Sequence, residues 1–375
     1  MRAVEGRNKL AALLVVLAGT AWPAARALGS DALGLRPPEL SPRAEQAIRR
    51  GLDYLAAQQH PEGYWIEMIG RKVNDEYRGH MGRHVGVTAL ACMSFLANGS
   101  LPDRGRYGEN IRRGVEWLLA QVQPDNGFIT ADGSRMYSHG FATLLLAEVY
   151  GTTGDPRVRA RLQQAVDAIV QSQNRHGGWR YLPGAEDADM SITVTCVMAL
   201  RGARNVGIYV PRATIDAAIQ YIKRSFVGEH PDWRQRGGFW YQVREDRFQL
   251  SRTSFALTAA GVVALYGAGE YDAPEIRQGL RFLARPATHY PYGRPPAWRM
   301  HQSFDYFYAH YYAVQAFFQA GGELWAWWFP MIRDELLEGQ HQEGYWEDLV
   351  GRNYATAMAT VILQIPYRYL PIFER

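Results

Sequence analysis

The stretch IVQSQNRHGGWRYLPGAEDADMSITVTCVMALRGA, Ile169 to Ala203, carries a whole structural unit in one run. It opens at the end of an amphipathic helix whose apolar positions Leu162, Val166 and Ile169 fall on one face. The chain then reverses through Gly177, Gly178 and Trp179, passes Asp187 and Asp189, and enters a helix that is apolar nearly all round. A helix apolar on every side must be buried on every side, so this pair of helices needs neighbours.

The neighbours are in the same chain. Triplets with the same spacing recur as Ile48/Leu52/Leu55, Ile111/Val115/Leu118, Ile215/Ile219/Ile222 and Ile276/Leu280/Leu283, and a sixth copy begins at Ile332 and Leu336 but has Gly339 in its third place. Each is followed by a turn and then by a second, apolar helix, as in VGVTALACMSFLA, HGFATLLLAEVYG, SFALTAAGVVALYG and YATAMATVILQIP. The period points to a repeat architecture. Six amphipathic outer helices around six buried inner ones predict an all-α fold, an α6/α6 toroid over residues 40–375, because neither end carries the polar cap that an open solenoid needs. The apolar end IPYRYLPIF is expected to close the ring against the first repeat.

The turns share a pattern. QHPEGYW (Gln59 to Trp65), QPDNGFI (Gln123 to Ile129), QNRHGGW (Gln173 to Trp179) and QHQEGYW (Gln340 to Trp346) all read Q-x-x-x-G-x-(W/I), and the fourth repeat keeps GGFW, with Trp240 last. Glycine permits the reversal, the glutamine amide can satisfy carbonyls left open at a helix end, and the tryptophan is expected to plug the seam between repeats.

The first residues read as an export signal: Arg2, Arg7 and Lys9 precede an apolar run from Leu10 to Ala21, and Ala25-Arg26-Ala27 offers a cleavage site. Residues 1–27 are taken as that peptide and 28–39 as a linker, which predicts a periplasmic or secreted protein. Losing the peptide removes Arg2, Arg7, Lys9, Arg26 and Glu5, so the net charge of +4 falls to +1. With no Lys/Arg run interleaved with aromatics, nucleic acid is not an expected partner. Cys92 and Cys196 both sit in apolar helical runs, and two cysteines give no disulfide framework.

Repeated Q-x-x-x-G-x-W turns at this period resemble the QW repeats of the squalene cyclase and protein prenyltransferase superfamily, a fold of six inner and six outer helices. In its squalene–hopene cyclases a GG(W/F)-x-F turn leads through a short loop into D-x-D-D-T at the start of an inner helix, and the middle acid protonates the terminal alkene. Gly177-Gly178-Trp179-Arg180-Tyr181, then Asp187-Ala188-Asp189-Met190-Ser191, is similar, and places Asp189 on the proton donor's position. Met190 departs from the pattern, and the single ring departs from the two helical domains of triterpene cyclases. The prenyltransferase branch implies zinc held by Asp-x-Cys and a distant His, but Leu90 and Val194 stand two residues before the cysteines. No metal or cofactor is expected. The tail from Asn353 to Arg375, with SHGFATLLLAEVYG and GGWRY, most resembles exported single-ring prenyltransferase/squalene-oxidase-repeat proteins of planctomycete-type bacteria.

In a toroid the heads of the inner helices converge at one mouth. By sequence these are His84, His139, Asp187 with Asp189, Arg252, Tyr308 with His310, and Asn353 with Tyr354. Under the resemblance Asp189 is a general acid, with Asp187 or His139 setting its protonation and Trp179, Tyr181, Tyr308 and Tyr311 offering π faces to a cation. Three readings stand. The chain is an acid-initiated cyclase or isomerase of a polyisoprenoid, or a non-catalytic ring that binds a lipid, glycan or peptide, with Asp189 a plain helix cap. The third is a glycoside hydrolase or lyase, for which Asp132 or Glu347 would supply a distant second carboxylate. An isoprenoid lipid or other hydrophobic molecule is the expected partner, and the apolar tail could seat the ring on a bilayer.

Overall fold

Punctuation residues set the helix ends. Pro42, Pro156 and Pro274 occupy first-turn positions, where their missing N–H is not needed, and Ser41, His84, Asp155, Asp189 and Ser254 cap helix heads with their side chains. In the computed structural model, which describes residues 40–70, 79–243, 253–285 and 305–374, these signals delimit twelve α-helices. The expected signal peptide, the linker and Arg252 lie outside the described residues.

The helices come in pairs. The outer members are α1 (Pro42–Gln58), α3 (Gly108–Ala120), α5 (Pro156–Gln171), α7 (Arg212–Ser225), α9 (Pro274–Leu283) and α11 (Gly322–Gly339). The inner members are α2 (Val85–Ala97), α4 (Met136–Thr153), α6 (Met190–Asn205), α8 (Phe255–Ala268), α10 (Tyr306–Ala320) and α12 (Arg352–Gln364). Each inner helix packs on the next in that order and α12 returns to α2, so the inner ring is closed; α11 packs on α1 outside it. The outer helices bury one stripe, as α3 does with Ile111, Val115 and Leu118, whereas every residue of α2 is buried. The architecture is an α6/α6 toroid.

One element departs from the all-α expectation. An antiparallel hairpin, β1 (Ile66–Ile69) with β2 (His80–Arg83), lies between α1 and α2, with Ile66 opposite Arg83. Four-residue strands are too short to show a period in sequence. Among the described residues no helix is long and apolar enough to cross a membrane.

Three turns stitch the repeats in the same way. The amides of Gln59, Gln173 and Gln340 each donate to the carbonyl of the glycine four residues on, and to a carbonyl of the next outer helix: Asn110, Thr214 and Ala47 respectively, all at 2.8–2.9 Å. The bond from Gln340 to Ala47 joins the last outer helix to the first. Trp65, Trp179 and Trp346 are fully buried, and each indole N–H donates to a carbonyl ten residues back. Gln123 lacks this pattern, donating instead to the Gln121 carbonyl at 3.4 Å.

In the fourth repeat the seam residue is Phe239, not Trp240. Phe239 is the residue two after the positive-φ Gly237 and is fully buried, and its N–H donates to Thr258 just as the Trp179 N–H donates to Thr193. Trp240 stands one place further, half-buried, in the position that Arg180 holds in the third repeat. The tail closes the ring more deeply than expected. Tyr369 packs over Gly99 of the first repeat, but Ile372 reaches Gly202 of α6 and Phe373 meets Tyr311 of α10, flooring the inner ring at its C-terminal end.

Candidate functional site

The turn after α5 delivers Asp189 to the head of α6 with its main chain pinned, since its N–H donates to the Trp179 carbonyl at 2.9 Å. The side chain is completely buried and all four acceptor directions are addressed. Oδ1 accepts from the Ile192 N–H at 2.9 Å and from the Ser191 hydroxyl. Oδ2 accepts from Arg180 Nη1 at 2.9 Å and, more loosely, from the Tyr241 hydroxyl at 3.4 Å. Burial pushes the carboxyl above the usual carboxylate range, and the donors from Ser191, Ile192 and Arg180 pull against it.

Arg180 joins the two acids of the loop. Its Nε lies 3.2 Å from the exposed Asp187, and its Nη1 also donates to the Tyr241 hydroxyl at 3.1 Å. The guanidinium rests on two aromatic faces, 4.8 Å from the Tyr181 ring centre and 5.6 Å from that of Tyr241, while the two phenol oxygens are 2.8 Å apart.

A column of aromatic rings descends from this point. Tyr181 meets Tyr137 at 6.0 Å, Tyr137 meets Tyr308 edge-on at 6.2 Å, Tyr308 meets Tyr312 at 4.9 Å, Tyr312 meets Tyr311 at 5.0 Å, and Tyr311 meets Phe373 at 6.3 Å. The upper members Tyr137, Tyr181 and Tyr308 keep partial exposure; Tyr311, Tyr312 and Phe373 are buried. Tyr308 is tied to the acid's helix by donating to the Ser191 carbonyl at 3.3 Å. Tyr354, at the head of α12, is also partly exposed.

His84 stands at the head of α2, whereas the rings of His139 and His310 turn away from the mouth. His139 is fully buried with both ring nitrogens on main chain: Nδ1 accepts from the Ile129 N–H at 3.0 Å and Nε2 donates to the Ala165 carbonyl at 3.1 Å. Burial lowers its pKa to about 4, so it is a neutral strut to α5, and the charged neighbour of Asp189 is Arg180. Helical phase explains the exchange, because residues two apart on a helix face opposite ways, so Tyr137 faces the mouth and His139 faces outward. His84 caps α2 by accepting from the Val87 N–H at 3.2 Å, and burial likewise lowers its pKa to about 4. His310 points away from the mouth into an aromatic box, 5.5 Å from Phe255 and 6.1 Å from Trp328.

The carboxylates considered for a glycosidase are ion-paired. Asp132 is bound by Arg83 at 2.7 Å, which holds its pKa down near 2, and Glu347 is bound by Arg352 at 2.7 Å. The described residues hold no group of three or more His, Cys, Asp or Glu placed to take a metal ion. Sequence reading passed over Arg180, Tyr137 and Tyr241. The first two were discoverable, Arg180 by its place beside Trp179 and Tyr137 by helical phase; Tyr241 approaches only through the fold.

A family model described as a domain of unknown function, DUF6288, matches residues 44–231, half of the chain. The chain belongs to the DUF6288 family. Over 181 residues this DUF6288 protein is 30% identical to a drimenyl diphosphate synthase of Streptantibioticus cattleyicolor, a match covering 47% of the chain and 31% of that enzyme, so the chain spans about a third of its relative's length. Among solved structures it is similar to the ligand-free type II terpene cyclase MstE from Scytonema, with a TM-score of 0.58 and 15% identity over 89% of this chain and 100% of that one. It is also similar to an inactive variant of the α-1,6-mannanase GH76A of Salegentibacter sp. in complex with α-1,6-mannotetrose, with a TM-score of 0.60 and 8% identity over 88% and 100% of the two chains. At those identities the likeness is one of fold, a helical toroid shared with a terpene cyclase and a mannanase.

Proposed function

We propose that this DUF6288 protein receives an apolar, polyisoprenoid-type ligand at the N-terminal mouth of its inner ring, and that Asp189 is the acid that starts its cyclisation or isomerisation. The observation that carries this reading is the setting of Asp189: withdrawn from water at the head of α6, surrounded by donors and beside the exposed tops of the tyrosine column. An acid that protonates an alkene must be neutral when it acts and must leave behind a well-stabilised carboxylate. Burial favours the first condition, and Ser191, Ile192 and Arg180 favour the second. As the Asp189 O–H bond breaks, a C–H bond forms at one alkene carbon and the other becomes cationic, which the faces of Tyr137, Tyr181 and Tyr308 suit. The fold likeness to MstE supports the ligand class, since another structure of that cyclase holds geranylgeranyl dihydroxybenzoate. The basic and apolar start of the sequence supports action outside the cytoplasm.

A second reading, binding without turnover, is favoured by the ion pair at 2.9 Å between Arg180 and Asp189. Incubating the purified protein and its Asp189→Asn variant with lipid extract of the source cells, followed by mass spectrometry, separates the two. The acid reading expects an isomeric product from the wild type and, in the variant, the same lipid retained but converted at least ~100-fold more slowly. If both proteins retain one lipid unaltered, binding alone remains; if neither retains any, both readings fall.

A further inference from the structure

Resting on the acid role given to Asp189 above, we propose that Arg180 is the positioning residue that decides when Asp189 carries a proton, by exchanging between Asp189 and Asp187 as the tyrosine faces beside it fill.

The geometry supplies both positions. One guanidinium touches both acids at once, through Nη1 to Asp189 at 2.9 Å and Nε to Asp187 at 3.2 Å. Asp189 is wholly buried, whereas the Asp187 side chain is 60% exposed, so a small rotation toward Asp187 keeps Arg180 paired while moving its charge toward water. Among the described residues, every other titratable group facing Asp189 is neutral. These are Tyr137 from α4, Tyr221 from α7, Tyr308 from α10, Cys196 from α6, and Tyr181 and Tyr241 from the loops, all held protonated by burial. Among the described residues, Arg180 and Asp187 are therefore the charges that bear on its state.

A ligand enters this balance through the rings. Arg180 stacks on the faces of Tyr181 and Tyr241, and an apolar chain or a cation lying on those faces competes for the same space. With Arg180 drawn onto Asp187, Asp189 keeps the Ser191 and Ile192 donors but loses its counter-charge, and a buried carboxylate without one takes up a proton from solvent. Net charge is balanced: one ion pair, Arg180 with Asp187, and one neutral acid. Occupancy of the mouth thus arms the acid, and an empty mouth leaves it paired and inert.

The test is infrared titration of the purified protein, following the protonated-carboxyl band that Asp189→Asn removes. Without ligand, Arg180→Gln should move the midpoint of that band up by about one to three pH units, and Arg180→Lys, which keeps the charge but reaches one carboxylate at a time, by less. An unchanged midpoint in both variants overturns the proposal; the lysine variant stands in if the glutamine variant does not fold. Geranylgeraniol, as probe, should raise the midpoint in the wild type and not in Asp187→Asn, where Arg180 has no second partner. If geranylgeraniol is retained and the wild-type midpoint stays still, the exchange is refuted. If it is not retained, the ligand class proposed above fails, while the ligand-free comparison still decides the role of Arg180.

Discussion

Asp189 does two things with one carboxylate: Oδ1 caps α6 and Oδ2 holds Arg180. Capping alone is worth about 1 kcal/mol, and Arg180, left without Asp189, keeps its pairing with Asp187. Asp189→Ala should therefore cost about 1–3 kcal/mol by denaturant unfolding, from the lost cap and the unmet Ser191 and Ile192 donors, and Asp189→Asn, which still accepts from Ile192, clearly less. The same residue-level reasoning applies to Gln173, whose amide feeds two carbonyls. Gln173→Ala should cost about 1–3 kcal/mol because the Thr214 and Gly177 carbonyls lose their donor together, and a chemical melt of the variant measures it.

The head of α12 shows how an element can depend on a residue far from it in sequence. Its cap position is Gly351, which has no side chain to offer, so Glu67 of β1 reaches across the seam and accepts from the Asn353 N–H at 2.9 Å. Asn353 in turn donates from its side chain to the Ile66 carbonyl. Burial raises the Glu67 pKa from 4.5 to about 7. Because the folded state binds this proton more tightly than the unfolded chain, Glu67 contributes most below pH ~4.5, and its contribution is lost as pH rises to ~7, about 3 kcal/mol in all. Glu67→Gln keeps the acceptor and cannot ionise. Its melting temperature should exceed the wild type's at pH 8 and match it near pH 5, and identical pH profiles would refute this account.

For the whole molecule, the ring is finished by the contacts of its two ends. Gln340 bonds to α1, Glu67 to α12, and the tail floors the inner ring with Ile372 and Phe373. Arg201 holds the tail by donating to the Glu374 carbonyl. Phe373 is 3% exposed and lies under Tyr311, so Phe373→Ala should cost about 3–5 kcal/mol. It should also loosen the base of the tyrosine column, which slowed or lost near-ultraviolet circular dichroism on heating would report.

By itself the sequence determined the toroid, because burial patterns are local: a helix buried on every face and a helix buried on one stripe are each legible within four turns, and their alternation forces two concentric layers. It also placed Asp189 at the head of α6, since a capping acid is written beside the helix it caps. Only the tertiary structure decided the company Asp189 keeps. Tyr241, whose ring and hydroxyl hold Arg180 beside it, arrives from the next repeat. A carboxylate from the first repeat likewise came to cap a helix in the last. These are contacts between residues distant in the chain, fixed by how the repeats close upon one another, and no local pattern encodes them.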